Sequence, residues 1–143
     1  LRISNPYGPR QNPFGIQGLV AVAMACAHSG RPLKIYGRGE AVRDYIYIDD
    51  VIDAMLRASV AAGSLTLNIS GAEGHSVMEI VDLIETVSGR RINREFVSSR
   101  KGDVSANILS NRRAAEILDW RPATGLETGL QRTWEWVHRR LRA

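Results

Sequence analysis

The sequence predicts an α/β or α+β domain, and three observations carry that prediction. Segments of period-two alternation, such as Tyr45-Ile46-Tyr47-Ile48 and Leu65 to Ile69, are interleaved with longer segments of 3.6-residue period. Glycine and proline fall where one pattern yields to the next, at Gly30-Arg31-Pro32, Gly63, Gly71 to Gly74 and Gly89. Ser76-Val77-Met78-Glu79 has the spacing of a capping box at the head of an apolar run. At 143 residues and 44% hydrophobic content, the chain is long enough for one core.

In order, Leu1-Arg2-Ile3-Ser4 reads as the end of a strand. Asn5-Pro6-Tyr7-Gly8-Pro9 reads as a turn that leaves Asn5 at the strand's carboxyl end, the edge where open α/β sheets bind ligands. The segment stays irregular through Phe14, and Tyr7 is expected to pack. Ile16, Leu19, Val20, Ala23 and Ala27 mark a helix face, closed by Gly30 in a left-handed cap and by Pro32. Leu33 to Tyr36 is a short strand entering the Gly37 turn, and Tyr45 to Ile48 is a second. Asp49 or Asp50 is placed to cap a helix whose Val51, Ile52, Met55, Leu56 and Val60 share one side. Leu65 to Ile69 is a strand, Gly71 to Gly74 a turn. The capping box opens a helix with Val77, Ile80, Val81, Ile84 and Val87 inward. Ile92 to Val97 is a further strand. Ser110 can cap a helix with Ala114, Ile117 and Leu118 inward, ended by Trp120 and Pro122. A last helix from about Gly125 carries Leu126, Leu130, Trp134, Val137 and Leu141 on one stripe.

The most apolar run, Leu19 to Ala27, is far shorter than the ~20 residues of a membrane span, so no membrane partner is expected. A lone Cys26 excludes an internal disulfide and fits a reducing, cytoplasmic compartment. His28, His75 and His138 have no metal-ligand spacing, so no metal is expected. The net charge of +4 is almost all arginine dispersed among acids, which argues against a nucleic-acid partner. The one tight cluster, Arg139, Arg140 and Arg142, complements a helix C-terminus.

Chemistry concentrates in Gly37 to Val51. Arg43 stands where a glycine turn enters a strand. It is either a phosphate clamp, its planar fork meeting two oxygens at once, or a surface arginine paired with Asp44 or Glu40. Tyr36 either packs in the core or stacks on a flat ligand. Arg100 and Asp103 bracket Gly102, a pattern that suits an anion and a hydroxyl pair, or only a solvated charged turn. Gly37-Arg38-Gly39 starts like a G-x-G-x-x-G loop, but Val42 holds the third glycine position. No P-loop, no H-E-x-x-H and no tyrosine followed four places on by lysine occur. The sequence therefore offers no catalytic residue.

Four motifs stand in fixed order: Leu1-Arg2 through Asn5-Pro6-Tyr7-Gly8-Pro9; Ile35-Tyr36-Gly37 through Arg43-Asp44-Tyr45-Ile46-Tyr47 to Asp49-Asp50-Val51; Arg100-x-Gly102-Asp103; and Leu118-Asp119-Trp120-Arg121-Pro122. Together they resemble the C-terminal half of extended short-chain dehydrogenases that act on nucleotide sugars, the NAD-dependent epimerase/dehydratase family, and most of all its UDP-glucose 4-epimerases. The resemblance implies an α/β fold made of the last Rossmann strand and its following loop (residues 1–14) and a nucleotide-sugar domain (residues 15–143) with a small mixed sheet and packed helices. It implies that Ser4 lies near the nicotinamide of NAD and that Asn5 contacts the diphosphate or sugar. Tyr36 and the backbone around Lys34 would flank the uracil, Arg43 and Arg100 would neutralise the diphosphate, and Asp103 would accept from ribose hydroxyls. Asn107 falls where epimerases often carry Tyr or Cys lining the sugar pocket. Gly18 and Leu19 replace the asparagines frequent at the start of the substrate-domain helix, leaving free amides to face an anion. Implied partners are a UDP-sugar and, for the parent, a second copy in a homodimer. NAD would be held mainly by a half that these residues do not include, so the chain alone is expected to be inactive. A 4,6-dehydratase or decarboxylase of the same superfamily, and a non-catalytic nucleotide-sugar module, are the alternatives.

Overall fold

The computed structural model describes residues 1–15, 17–99 and 102–142. Their elements alternate as the sequence predicts: β1 (Arg2–Ile3), β2 (Asn5–Tyr7), α1 (Leu19–Ser29), β3 (Leu33–Tyr36), β4 (Val42–Tyr47), α2 (Ile48–Ser59), β5 (Asn68–Ile69), β6 (Gly74–Ser76), α3 (Val77–Ser88), β7 (Arg94–Val97), β8 (Ala106–Asn107), α4 (Arg112–Leu118) and α5 (Leu126–Arg142). No described helix is long and apolar enough to cross a membrane. No described group of His, Cys, Asp and Glu can hold a metal ion.

Strand β4 is the hub. It pairs in parallel with β2 (Asn5 opposite Tyr45) and with β8 (Arg43 opposite Asn107), and antiparallel with β6 (Arg43 opposite His75). The sheet around it is therefore mixed. Two parallel pairs stand apart from it, β1 with β5 and β3 with β7.

Two apolar clusters hold these strands. In one, α1, α3 and α5 pack with β3 through Val20, Met24, Ile35, Ile84, Leu130 and Val137. Tyr7 and Trp134 belong to this cluster, as the sequence predicts. The Tyr7 ring meets Tyr47 edge-on, and its hydroxyl donates to the Leu126 carbonyl at 3.1 Å. The other cluster joins α2, α4 and β5 around Trp120, which is 1% exposed.

Local signals hold where the bonds they require are local. The Ser76 hydroxyl accepts from the Glu79 amide at 3.1 Å, and the Glu79 carboxylate accepts from the Ser76 amide at 2.6 Å, completing the capping box. Gly30 and Gly89 close α1 and α3 in left-handed caps. Ser76→Ala is expected to cost about 1 kcal/mol in a urea titration, the usual cost of losing a side-chain N-cap. An unchanged midpoint and slope would show that the box adds nothing.

Several expectations are corrected. Asn5-Pro6-Tyr7 is a strand, because β4 supplies a parallel partner that its turn-forming composition conceals. Gly74 likewise belongs to strand β6, and Ala106–Asn107 adds an unpredicted strand. The strand at Leu65 to Ile69 keeps regular pairing only at Asn68–Ile69. Helix α2 begins at Ile48 behind Tyr47, and neither Asp49 nor Asp50 caps it. Asp50 is buried and spends its carboxylate on Ala123 and Thr124 instead. The predicted core face of α2 is also turned: Val51 and Ala54 are buried, whereas Ile52, Met55, Leu56 and Val60 are exposed. Helix α4 starts behind Asn111 rather than Ser110, and Ile117 is exposed. Ile16 lies outside the described residues.

Candidate functional site

A cleft of about 670 Å³ opens where β2, the start of α1, β3 and β4 meet. The lining brings together Ser4 and Asn5 from the first strands, Lys34 and Tyr36 from β3, Arg43 from β4, and Asp103 from the loop before β8. These six come from four segments that the sequence separates. Tyr36 is 42% exposed at the rim, so the core reading of this side chain is corrected. Strand alternation explains the placement: Leu33 and Ile35 face the interior, and Lys34 and Tyr36 are turned outward.

Arg43 does not pair with Asp44 or Glu40. Its Nη1 donates to the Val42 carbonyl at 2.7 Å and its Nη2 to Asp103 Oδ1 at 2.6 Å. Asp44 is fully buried and accepts from the Leu109 amide at 2.7 Å. Glu40 pairs with Arg38 at 3.6 Å, an exposed pair of little energetic weight. Asn5 Nδ2 donates to the Asp44 carbonyl at 2.7 Å, fastening β2 to β4 at the cleft floor. The Arg43 side chain is 20% exposed and Asp103 is 41% exposed, so the guanidinium is the less hydrated partner. A fork so placed meets an anionic group strongly, because screening falls as water is excluded.

The family model for "NAD dependent epimerase/dehydratase family" matches residues 1–70. UDP-glucose 4-epimerase of Mycolicibacterium smegmatis is 38% identical over 92% of this chain and 42% of its own length. UDP-glucuronate 4-epimerase of Thermodesulfobacterium geofontis is 31% identical over 95% of this chain and 42% of its own length. The crystal structure of Thermotoga maritima UDP-glucose 4-epimerase with UDP-glucose superimposes with a TM-score of 0.93 at 38% identity, over 98% of this chain and 45% of that one. The chain is homologous to the NAD-dependent epimerase/dehydratase family. It spans under half the length of these relatives.

Two features of this epimerase/dehydratase homologue, at Tyr45 and Gln11, escape sequence reasoning, whereas a third, at Gly18, is singled out by the sequence. Tyr45 lines the cleft beside Arg43; burial pushes its phenol up to about 12 against the lowering pull of Arg43, so it stays a neutral hydroxyl at neutral pH. Its period-two alternation marks a strand but not which face meets the cleft. Gln11 donates from Nε2 to the Pro6 carbonyl at 3.2 Å, while its buried Oε1 has no partner among the described residues. Nothing in the irregular segment around it signals this. Gly18, in the left-handed region at φ 89°, heads α1 with no side-chain cap and no acid in the first turn. A Cβ there would come within 2.7 Å of Gln11 Nε2, a side-chain end that can shift, so it is the left-handed φ that favours glycine. Gly18, Leu19 and Val20 thus bring the uncapped start of α1 to the same cleft as Arg43.

Ser4 Oγ is buried without a partner among the described residues. Asn107 is exposed on β8 opposite Arg43 and is not among the residues lining the cleft. Arg100 lies outside the described residues.

Proposed function

We propose that the chain is the substrate-binding half of an NAD-dependent nucleotide-sugar epimerase of the UDP-glucose 4-epimerase type. In this reading, residues 1–14 belong to the edge of the cofactor domain and residues 15–143 form the nucleotide-sugar domain. The observation that carries it is the convergence of Ser4, Asn5, Lys34, Tyr36, Arg43 and Asp103 on one cleft.

Arg43 neutralises the diphosphate, helped by the free amides at the start of α1. Asp103 holds the Arg43 fork in place and accepts from ribose hydroxyls on its more exposed side. Tyr36 offers a ring face at the rim for the uracil, beside Lys34. The orphaned Ser4 hydroxyl and the Asn5 amide mark the deep end, where the sugar and the nicotinamide of NAD would meet. Bound NAD would supply reversible hydride removal from the sugar C4, and with the 4-hydroxyl proton taken by a group outside this chain the product would be a transient 4-keto sugar. This chain contributes firm anchoring of the nucleotide and no proton-transfer group, so the sugar can turn while the diphosphate stays fixed. Arg100 joins Arg43 on the diphosphate in the same reading.

Calorimetric titration of UDP and of UDP-glucose into the purified chain tests this. Saturable micromolar binding of both, without NAD and without epimerisation, is the expected result. No heat at millimolar UDP overturns the reading.

A further inference from the structure

The fold joins two histidines that the sequence keeps far apart. His28 stands in the last turn of α1, and His138 lies on α5, one turn after Trp134. Their rings meet edge-on, with centroids 5.4 Å apart. Trp134 stacks on His138 at 5.3 Å and lies 6.4 Å from His28. The Arg90 guanidinium sits over the same indole at 6.0 Å, and Arg90 Nη1 donates to the His28 carbonyl at 3.1 Å. The cluster therefore ties α1 and α5 to the chain just past α3.

The charges around these rings are cationic. Arg142 on the same helix, His28 on α1 and Arg90 beyond α3 all act on His138. Among the described residues, no ion pair joins a carboxylate to His28, His138, Arg90 or Arg142. Glu135, three residues before His138, makes no such pair either. On α3, Glu85 is taken by the Ile92 amide, Arg91 and Arg94, and Asp82 by Arg94. Arg31, just past α1, lies over Phe14. The Nδ1 atoms of His28 and His138 are buried with no hydrogen-bond partner among the described residues. A neutral imidazole suits such a place, because its proton can sit on Nε2 and leave Nδ1 bare. A protonated one does not: it buries an N–H without an acceptor and adds a cation beside Arg90 and Arg142. Burial first, and then Arg142, His28 and Arg90, hold His138 below the ordinary imidazole range.

Helix α1 connects this cluster to the cleft. Its last turn holds His28, while Gly18, Leu19, Val20 and Val22 at its other end line the cleft. We propose that His28 and His138 form an acid-sensitive latch between α1 and α5, closed while both imidazoles are neutral, whose opening on proton uptake frees α1 and loosens the cleft. Opening returns the rings to water, where an imidazole takes up its proton near pH ~6.5. The closed latch binds fewer protons than the open one. Its grip is therefore full above about pH 6.5 and is lost as pH falls below that value. The ratio of open to closed rises by at most ~10-fold per pH unit for each ring. The effect on nucleotide binding rests on the substrate-binding reading above, whereas the latch itself does not.

Amide hydrogen exchange at about pH 7.5 and about pH 5.5, corrected for the intrinsic rate, tests the latch. The expected result is several-fold lower protection at the acid value in the last turn of α1 and around Trp134 in α5. Helix α2, packed in the other apolar cluster, should keep its protection. His138→Gln cannot take up the proton and should remove most of the acid response. Arg142→Gln withdraws one cation and should shrink it, which keeps the test open if His138→Gln fails to fold. His75→Gln, on β6 and outside the cluster, should respond as the wild type does. In proton NMR the His138 ring should titrate below about pH 6.5. The latch is overturned if protection is equal at both pH values, if both cluster variants respond as fully as the wild type, or if the ring titrates at or above that midpoint. Calorimetry with UDP-glucose, whose diphosphate does not titrate in this range, should give several-fold weaker binding at the acid value for the wild type and little change for His138→Gln. Equal affinity at both values while α1 and α5 lose protection overturns the control of the cleft. No heat from UDP-glucose at either value, with the acid response intact, sinks only the substrate reading.

Discussion

Arg43→Ala is expected to weaken UDP binding by roughly 10- to 100-fold, since a hydrogen bond to a charged group contributes about 1.5–3 kcal/mol. The effect is large because Arg43 is held on one side by the Val42 carbonyl and on the other by Asp103, leaving the fork little freedom to lose on binding. Arg43→Lys keeps the charge but gives up the planar fork, so its loss falls between wild type and alanine. Asp103 is 41% exposed, so water can take up its charge once Arg43 is gone, and the thermal midpoint should move little. Titration calorimetry with UDP, paired with a melting curve for each variant, checks both halves. UDP binding by Arg43→Ala equal to that of the wild type would remove Arg43 from the site.

The second large effect is on stability. Asp50 is 6% exposed and accepts from the Ala123 amide at 3.2 Å, the Thr124 amide at 3.1 Å and the Thr124 hydroxyl at 3.3 Å. Its carbonyl accepts from the indole of Trp120 at 3.2 Å. One residue at the start of α2 therefore fastens the whole connection between α4 and α5. Asp50→Ala strands two backbone donors in a part-buried place, and each unsatisfied donor costs about 1–3 kcal/mol. A total loss of about 3 kcal/mol is expected, at the upper end of ordinary point mutations. Asp50→Asn should lose nearly as much, because its NH₂ would face the Thr124 or Ala123 N–H that the carboxylate now receives. Thr124→Val removes only the hydroxyl donor and should cost about 1 kcal/mol. Urea denaturation of the three variants decides it; Asp50→Ala within about 0.5 kcal/mol of wild type would show that the 120–124 connection stands without the clamp.

The sequence carried the helices and several of their ends, though not the starts of α2 and α4. The capping box at Ser76, the glycine closures at Gly30 and Gly89 and the stripe of α5 all depend on bonds or contacts within about four residues, and such signals lie in consecutive letters. The ordered motifs hold Ser4, Asn5, Tyr36, Arg43 and Asp103 of the cleft lining, but not Gln11, Gly18, Val20 or Lys34. Pairing and solvation needed the folded chain. Whether Asn5 to Tyr7 is turn or strand depends on β4, and the partner of Arg43 stands 60 residues away at Asp103. Asp50, placed to cap its own helix, is drawn to donors 73 and 74 residues on. Apolar periodicity said that α2 has an apolar side; only the packing of Val51 and Ala54 against Trp120 decided which of its apolar residues are buried and which are exposed. A local pattern fixes a backbone conformation, but the burial of a face depends on what the distant chain brings against it.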